Sequence, residues 1–142
     1  MDKKVLKFLG EQRVCGLSVL LPNGIPHSAA MHFSFIIDPL RLFFSADVEQ
    51  RKSLQLKKSG STKSSVVIGF NEEEWKTLQL DGEIRWVRGK RKIESIKKVH
   101  YKKNPTSKKF ENEPGTIFLE FIPKWWRYTD FNTDPITILS SK

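Results

Sequence analysis

The chain has 142 residues, enough for one domain with a sizeable core and too few for two. Hydrophobic residues make up 38%, with ten Phe and four Trp, which excludes a disordered chain, while apolar runs such as Val19–Leu21 and Val66–Phe70 are far too short to span a bilayer. The net charge of +9 brings nucleic acid or an anionic surface into consideration as partners, and the single cysteine excludes an internal disulfide and suits a reducing cytoplasm.

Residues 1–10 read as a short amphipathic helix closed by Gly10, with no long apolar segment and no small-residue cleavage site of a signal peptide. Val14 to Leu21 forms a first strand, and Pro22-Asn23-Gly24 supplies hairpin turn chemistry. The next strand, His27 to Phe35, alternates: Ala29, Met31, Phe33 and Phe35 face one way, and Ser28, Ala30, His32 and Ser34 the other. Asp38-Pro39 turns the chain, and Leu40 to Ser45 returns. Asp47 reads as an N-cap, with Gln50 three residues on completing a capping-box-like pair. Lys57 to Ser65 is a basic, Ser-rich loop before a strand over Val66–Phe70, and Asn71-Glu72-Glu73-Glu74 is a charged turn.

Trp75 to Val87 reads as the longest strand, with Leu78, Leu80, Ile84 and Trp86 on one face and Gly82 marking a bulge or a close approach. Ile93, Ile96 and Val99 or His100 then recur at helical spacing, and Asn104-Pro105 ends that helix. A last strand runs from Thr116 to Ile122. No internal repeat or linker interrupts residues 1–142, which form a single domain. The sum is mainly β with helices (α+β), six antiparallel strands and three helices in a barrel that covers its own edges.

Candidate chemistry concentrates after the second hairpin. A helix opening near Asp47 presents free backbone N–H groups and its positive dipole end, and Arg51-Lys52 adds a planar fork and a point charge to the same place. That combination suits a phosphate monoester. Trp125-Trp126-Arg127-Tyr128 is a core plug or a ligand wall, alternation placing Trp125 and Arg127 on one side and Trp126 and Tyr128 on the other. Three histidines do not converge as a zinc site requires, Cys15 is small core filling, and no P-loop or nucleophile elbow is present. The lysines of residues 89–109 share their helix with a buried side and have only Tyr101 as an aromatic companion, which makes nucleic-acid binding a minor alternative.

A small-residue strand, a strand ending Phe44-Ser45, and a helix opening with Arg51-Lys52 follow in an order that resembles the flavin-binding core of the pyridoxamine 5′-phosphate oxidase-like split-barrel family. Lys76–Ile84 is similar to the family's fifth strand, and Trp125–Phe131 to its C-terminal region, so the resemblance spans nearly the whole chain. It implies a six-stranded antiparallel split β-barrel that binds FMN. Ser28, Ala29, Ala30, Met31 and His32 would run along the isoalloxazine ring, and Ser45, Arg51 and Lys52 would hold the phosphate. Thr77, Gln79, Trp125 and Arg127 would come from the neighbouring subunit of a homodimer with shared flavin sites. The implied activity is that of a flavin-dependent oxidoreductase acting on a small redox substrate, with a non-enzymatic flavin or haem carrier as the alternative. The Arg and Lys that flank the ring strand in true pyridoxamine phosphate oxidases are missing from His27–His32, as is their C-terminal Arg-x-His motif. Pyridoxamine phosphate is therefore not the expected substrate, and the electron donor is open.

Overall fold

In the computed structural model, which describes residues 1–142, the sheet starts from a hairpin of small residues. Strand β1 (Val14–Leu20) pairs antiparallel with β2 (Pro26–His32), and Gly24 takes the positive φ that their turn requires. The expected single strand over His27–Phe35 is two strands. At Phe33 the chain leaves β1, and β3 (Ser34–Ile37) pairs instead with β4 (Leu40–Asp47). Phe33 and Ser34 are both fully buried, so the two-residue alternation slips at this corner.

Beyond β4, the helix does not begin at Asp47. A 3-10 turn over Arg51–Ser53 leads into the short α2 (Leu54–Ser59), ended by Gly60 at φ +80. Asp47 instead makes an Asx-type turn, its Oδ1 accepting from Glu49 N at 2.8 Å, while Gln50 Oε1 accepts from Asp47 N at 3.2 Å. The latter is half of the expected capping pair, made around a turn. The Ser-rich segment read as a loop is already strand: β5 spans Ser61–Ile68 and pairs with both β1 and β6 (Lys76–Trp86). The hydroxyls of β5 donate to backbone carbonyls of β1, Ser64 Oγ to Ser18 O at 2.7 Å and Thr62 Oγ1 to Leu20 O at 3.4 Å, so polarity alone did not mark a loop.

The longest strand is β7 (Thr116–Asp130), which continues past Ile122 through Pro123 and the Trp125–Tyr128 cluster. A proline tolerates this place because the ladder is already broken: Asp81 pairs with Trp125 and Gly82 with Pro123, leaving Lys124 as the extra residue of a bulge. Strand β8 (Thr137–Ser140) pairs with the end of β7. The sheet thus holds eight strands rather than six, in the order β2-β1-β5-β6-β7-β4-β3 with β8 beside β7. Because β2 and β3 are consecutive, the sheet curls until its two edges meet at Phe33: a split barrel.

Inward residues fill the barrel, among them Leu17, Met31, Phe44, Leu80, Ile84 and Phe121. Helix α1 (Lys3–Glu11) plugs one end with Val5, Phe8 and Leu9, Phe8 meeting Tyr128 edge to face at 5.5 Å. It passes through Gly10 and ends at Gln12, whose N–H bonds Phe8 O at 3.2 Å. Helix α3 (Lys90–Lys103) lies outside, its apolar stripe placing Ile96 against Phe43, Val87 and Phe118. No helix is long and apolar enough to cross a membrane.

Gly82 is where the barrel wall is tightest, since a Cβ there would overlap the Ile122 carbonyl oxygen across the ladder. Gly82→Val should destabilise the chain by about 3 kcal/mol. Urea unfolding would read this as a fall in midpoint at an unchanged slope.

Candidate functional site

The corner at Phe33, the end of β4 and the C-terminal half of α3 enclose a cavity of about 520 Å3. This lies within the roughly 300–1,000 Å3 common for small-molecule sites. Ala30, Met31 and His32 form one wall and Ser45, Ala46 and Asp47 another, while Gln50, Lys52 and His100 close the interior. The 3-10 segment Pro105–Phe110 brings Ser107 and Phe110 to the rim, with Glu113 and Thr116 beyond.

Lys52 is 7% exposed and makes no salt bridge, and its amine donates to Gln50 Oε1. Burial pulls its pKa down from the ordinary lysine value, and the nearby Asp47 carboxylate only partly restores it. A buried, incompletely compensated cation on a cavity wall suits an anionic group. The 3-10 geometry separates the neighbouring residues: Lys52 turns into the cavity and Arg51 out into solvent. Asp47 is held beside it by Ser53 Oγ, which donates to Asp47 O at 2.9 Å, and by Gly115, where a Cβ would come within 2.8 Å of its carboxylate.

His100 was legible in the sequence only as a member of the α3 stripe. It is 1% exposed, and its Nδ1 lies 2.9 Å from Ser34 Oγ. Nε2 has no hydrogen-bond partner within the protein, and the residue lines the cavity. Burial, then the charges of Lys103 and His32, push its pKa down to about 4. The imidazole is therefore neutral at physiological pH.

Of the twelve expected site residues, Ala30, Met31, His32, Ser45 and Lys52 line this cavity. Ala29 turns toward the core, and Ser28 lies further along the outer face with its Oγ 2.7 Å from Ser18 Oγ. Thr77 spends its hydroxyl on Ile68 O at 3.2 Å. Ala30, Gly16, Val67, Gln79 and Arg127 form one outward row across five strands, and Ser28, Ser18, Ser65, Asp81 and Trp125 form the next. With strands roughly 4.8 Å apart, Arg127 is about 19 Å from Ala30 along its row, and the two cannot touch one small ligand within this chain. Arg127 lies over the Trp125 ring at 5.7 Å. Asp47, Gln50, Ser107, Phe110, Glu113 and Thr116 join the cavity without having been expected there. Asp47 carried a sequence signal, its turn chemistry.

No protein-family profile matches the chain, and no curated protein matches it by sequence. Solved structures do match its fold. One is a Clostridium acetobutylicum protein related to general stress protein 26 of B. subtilis, of the pyridoxinephosphate oxidase family. It shares 16% identity at a TM-score of 0.72, over 100% of this chain and 96% of that one. A haem-binding protein from Mycobacterium smegmatis gives 10% identity and 0.76, over 100% of this chain and 59% of that one. HutZ, the haem storage protein from Vibrio cholerae, gives 14% and 0.73, over 87% and 89%. The chain therefore has the pyridoxamine 5′-phosphate oxidase-like split-barrel fold.

Because His100 is held neutral when folded and titrates near 6.5 when unfolded, the unfolded chain binds the extra proton between these values. Its contribution to stability is intact above about pH 6.5 and is lost as pH falls toward 4, a change of about 3 kcal/mol. Urea unfolding at stepped pH should show this loss, and His100→Gln should remove that part of the pH dependence.

Proposed function

We propose that the cavity binds FMN and that the protein is a flavin-dependent oxidoreductase acting on a small redox substrate. The observation that carries this reading is the buried Lys52 amine, without a carboxylate partner, on the same cavity as Ser45. Both would hold the phosphate, while the small side chain of Ala30 leaves room for a planar ring beside Met31 and His32. When bound, the flavin supplies the electron-transfer chemistry; the protein fixes its position and its surroundings. His100 would offer that ligand an uncharged nitrogen.

Haem is the second reading, motivated by the haem-binding proteins of the same fold and by two histidines on the cavity. The lining favours flavin: only four of thirteen residues are apolar, which is poor complement to a porphyrin face.

Two copies would complete the site. Gln79, Trp125 and Arg127 share the outer face with Ala30 but are too far along it to reach the same ligand, so a second copy would have to supply them. Around Gly16 and Ala30 that face has small side chains, with Val14 39% and Val67 36% exposed beside them, and suits a self-complementary contact. Part of the basic helix is already committed, Lys92 to Glu120 at 3.0 Å and Lys97 to Glu94 and Glu111, which supports leaving nucleic acid aside. The lone buried Cys15, its thiol pushed up to about 12 by burial, is compatible with a reducing cytoplasm.

Lys52→Ala should weaken FMN binding by about ten- to a hundredfold, the loss of one charge-assisted contact, while riboflavin is barely affected. Arg51→Ala should change FMN binding less than threefold. Flavin fluorescence quenching reads both; equal FMN affinity in folded Lys52→Ala would remove it from the phosphate site. Haemin titrated in parallel tests the second reading.

Light scattering should give twice the 16.5 kDa chain mass. Val67→Glu, which leaves the cavity untouched, should yield a monomer that has lost most of its FMN affinity. A monomeric parent with full FMN binding would end the shared-site proposal.

A further inference from the structure

The β5–β6 hairpin carries large aromatic side chains at its tip, where polar turn residues would suffice. Phe70 is 61% exposed and Trp75 57%, and Phe131, at the end of β7, is 44% exposed. The three border one cleft of about 280 Å3, with Glu72 and Lys76 on its edge. Trp75 and Phe131 meet edge to face, centroids 6.2 Å apart and planes at 82°, so their rings make a right-angled corner.

The backbone is built to hold them there. Trp75 has φ +50, a left-handed conformation that a bulky residue rarely adopts. Gly69, at φ +101, has no room for a Cβ beside the Lys76 carbonyl oxygen. Trp75 N donates to Asn71 O at 3.2 Å, Phe131 N to Trp75 O at 2.9 Å, and Asn132 Nδ2 to Glu74 O at 2.7 Å, which ties the hairpin tip to the end of β7. The strained conformation exposes an indole instead of burying it. Hydrophobic burial does not account for that, so the rings' use lies in what they present to solvent.

Charge indicates the occupant. In a chain of net charge +9, this tip carries Glu72, Glu73 and Glu74, with Asp130 next to it. Glu74 accepts from Gln12 Nε2 at 2.8 Å, whereas Glu72 and Glu73 form no salt bridge. Lys76, the one cation on the cleft, sits opposite Asp130 in the ladder. Ring faces are negative, and a quaternary nitrogen, which cannot donate hydrogen bonds, is recognised by such faces together with a diffuse negative field. An anionic ligand would be repelled.

We propose that the Phe70–Trp75–Phe131 cleft binds the quaternary ammonium head of a small molecule of the choline type. The cleft is separate from the cavity at Lys52, and its Phe70 ring reaches over Gly16 at the margin of the face proposed for a second copy.

Choline titrated into the full chain at low salt, followed by the Trp75 indole N–H resonance, tests this, with Trp75→Phe assigning the signal. Choline should shift that resonance saturably. The neutral isostere 3,3-dimethylbutan-1-ol should need at least tenfold higher concentration. Glu72→Gln should weaken choline severalfold and Phe131→Leu at least fivefold, each with an unchanged circular dichroism spectrum. Equal binding of the isostere would reduce the site to an apolar cleft, and no shift with choline would remove it. A shift that tracks protein concentration instead of choline would assign the cleft to a second copy of the chain, and indifference of both variants would move binding elsewhere. Each of these outcomes overturns the proposal.

Discussion

The carbonyl of Phe33 is the group on which the barrel turns. One residue earlier the chain is bonded to β1, and one residue later it is bonded to β4, so neither ladder serves the backbone at the corner, which is fully buried. An unpaired carbonyl there would be costly. Helix α3 supplies the donors: Lys103 Nζ reaches Phe33 O at 3.2 Å and Asn104 Nδ2 at 3.0 Å. The same ammonium also bonds Gln12 O at 2.6 Å, the end of α1, and lies 4.0 Å over the Phe33 ring. Three separate elements are thus fastened at one point, and its burial is felt in the Lys103 amine, pulled down to about 8 by desolvation and then by Arg13.

The candidate site is a by-product of that fastening. Once α3 ends on Phe33, His100 lies one turn back, against Ser34, and faces the space left between β2 and β4. The cavity needs a corner to exist, and the corner needs α3 to be satisfied, so structural and ligand-facing groups alternate along the same helix: Ile96 into the outer apolar cluster, His100 toward the cavity, Lys103 and Asn104 onto the backbone. A ligand placed there would sense any loosening of the corner.

What the sequence disclosed follows from periodicity. The alternation of β2, the bulge at Gly82 and the stripe of α3 are each decided by near neighbours, and each is where the residues indicated. The break at Phe33 was hidden because Phe33 and Phe35 continue the two-residue pattern across it, while the reason for the break sits seventy residues away in Lys103 and Asn104. The reach of β7 was hidden by Pro123, which ends a strand in local terms and is admitted by a bulge that depends on Gly82 of the partner strand. Serine-rich β5 has the composition of a loop, and its place between two partner strands makes it a strand. In the site, Arg51 and Lys52 are equivalent as text; only the tight turn that carries them assigns one to solvent and one to the interior.

The placement of β7 also bears on how the chain is made. Its first residues, Thr116 to Phe121, pair with β4, its later ones with β6, and its end with β8. Until residue 116 has left the ribosome, β4 and β6 each have an open backbone edge with no partner yet synthesised, and both strands carry core residues, Leu42, Phe44, Leu78 and Leu80. Such edges are templates for pairing with other chains. The interval between β6 and β7 is filled by α3 and the short turn after it, the most lysine-rich part of the molecule. Its charge sits in the sequence where a nascent chain with two unfinished edges has most need of repulsion from its neighbours.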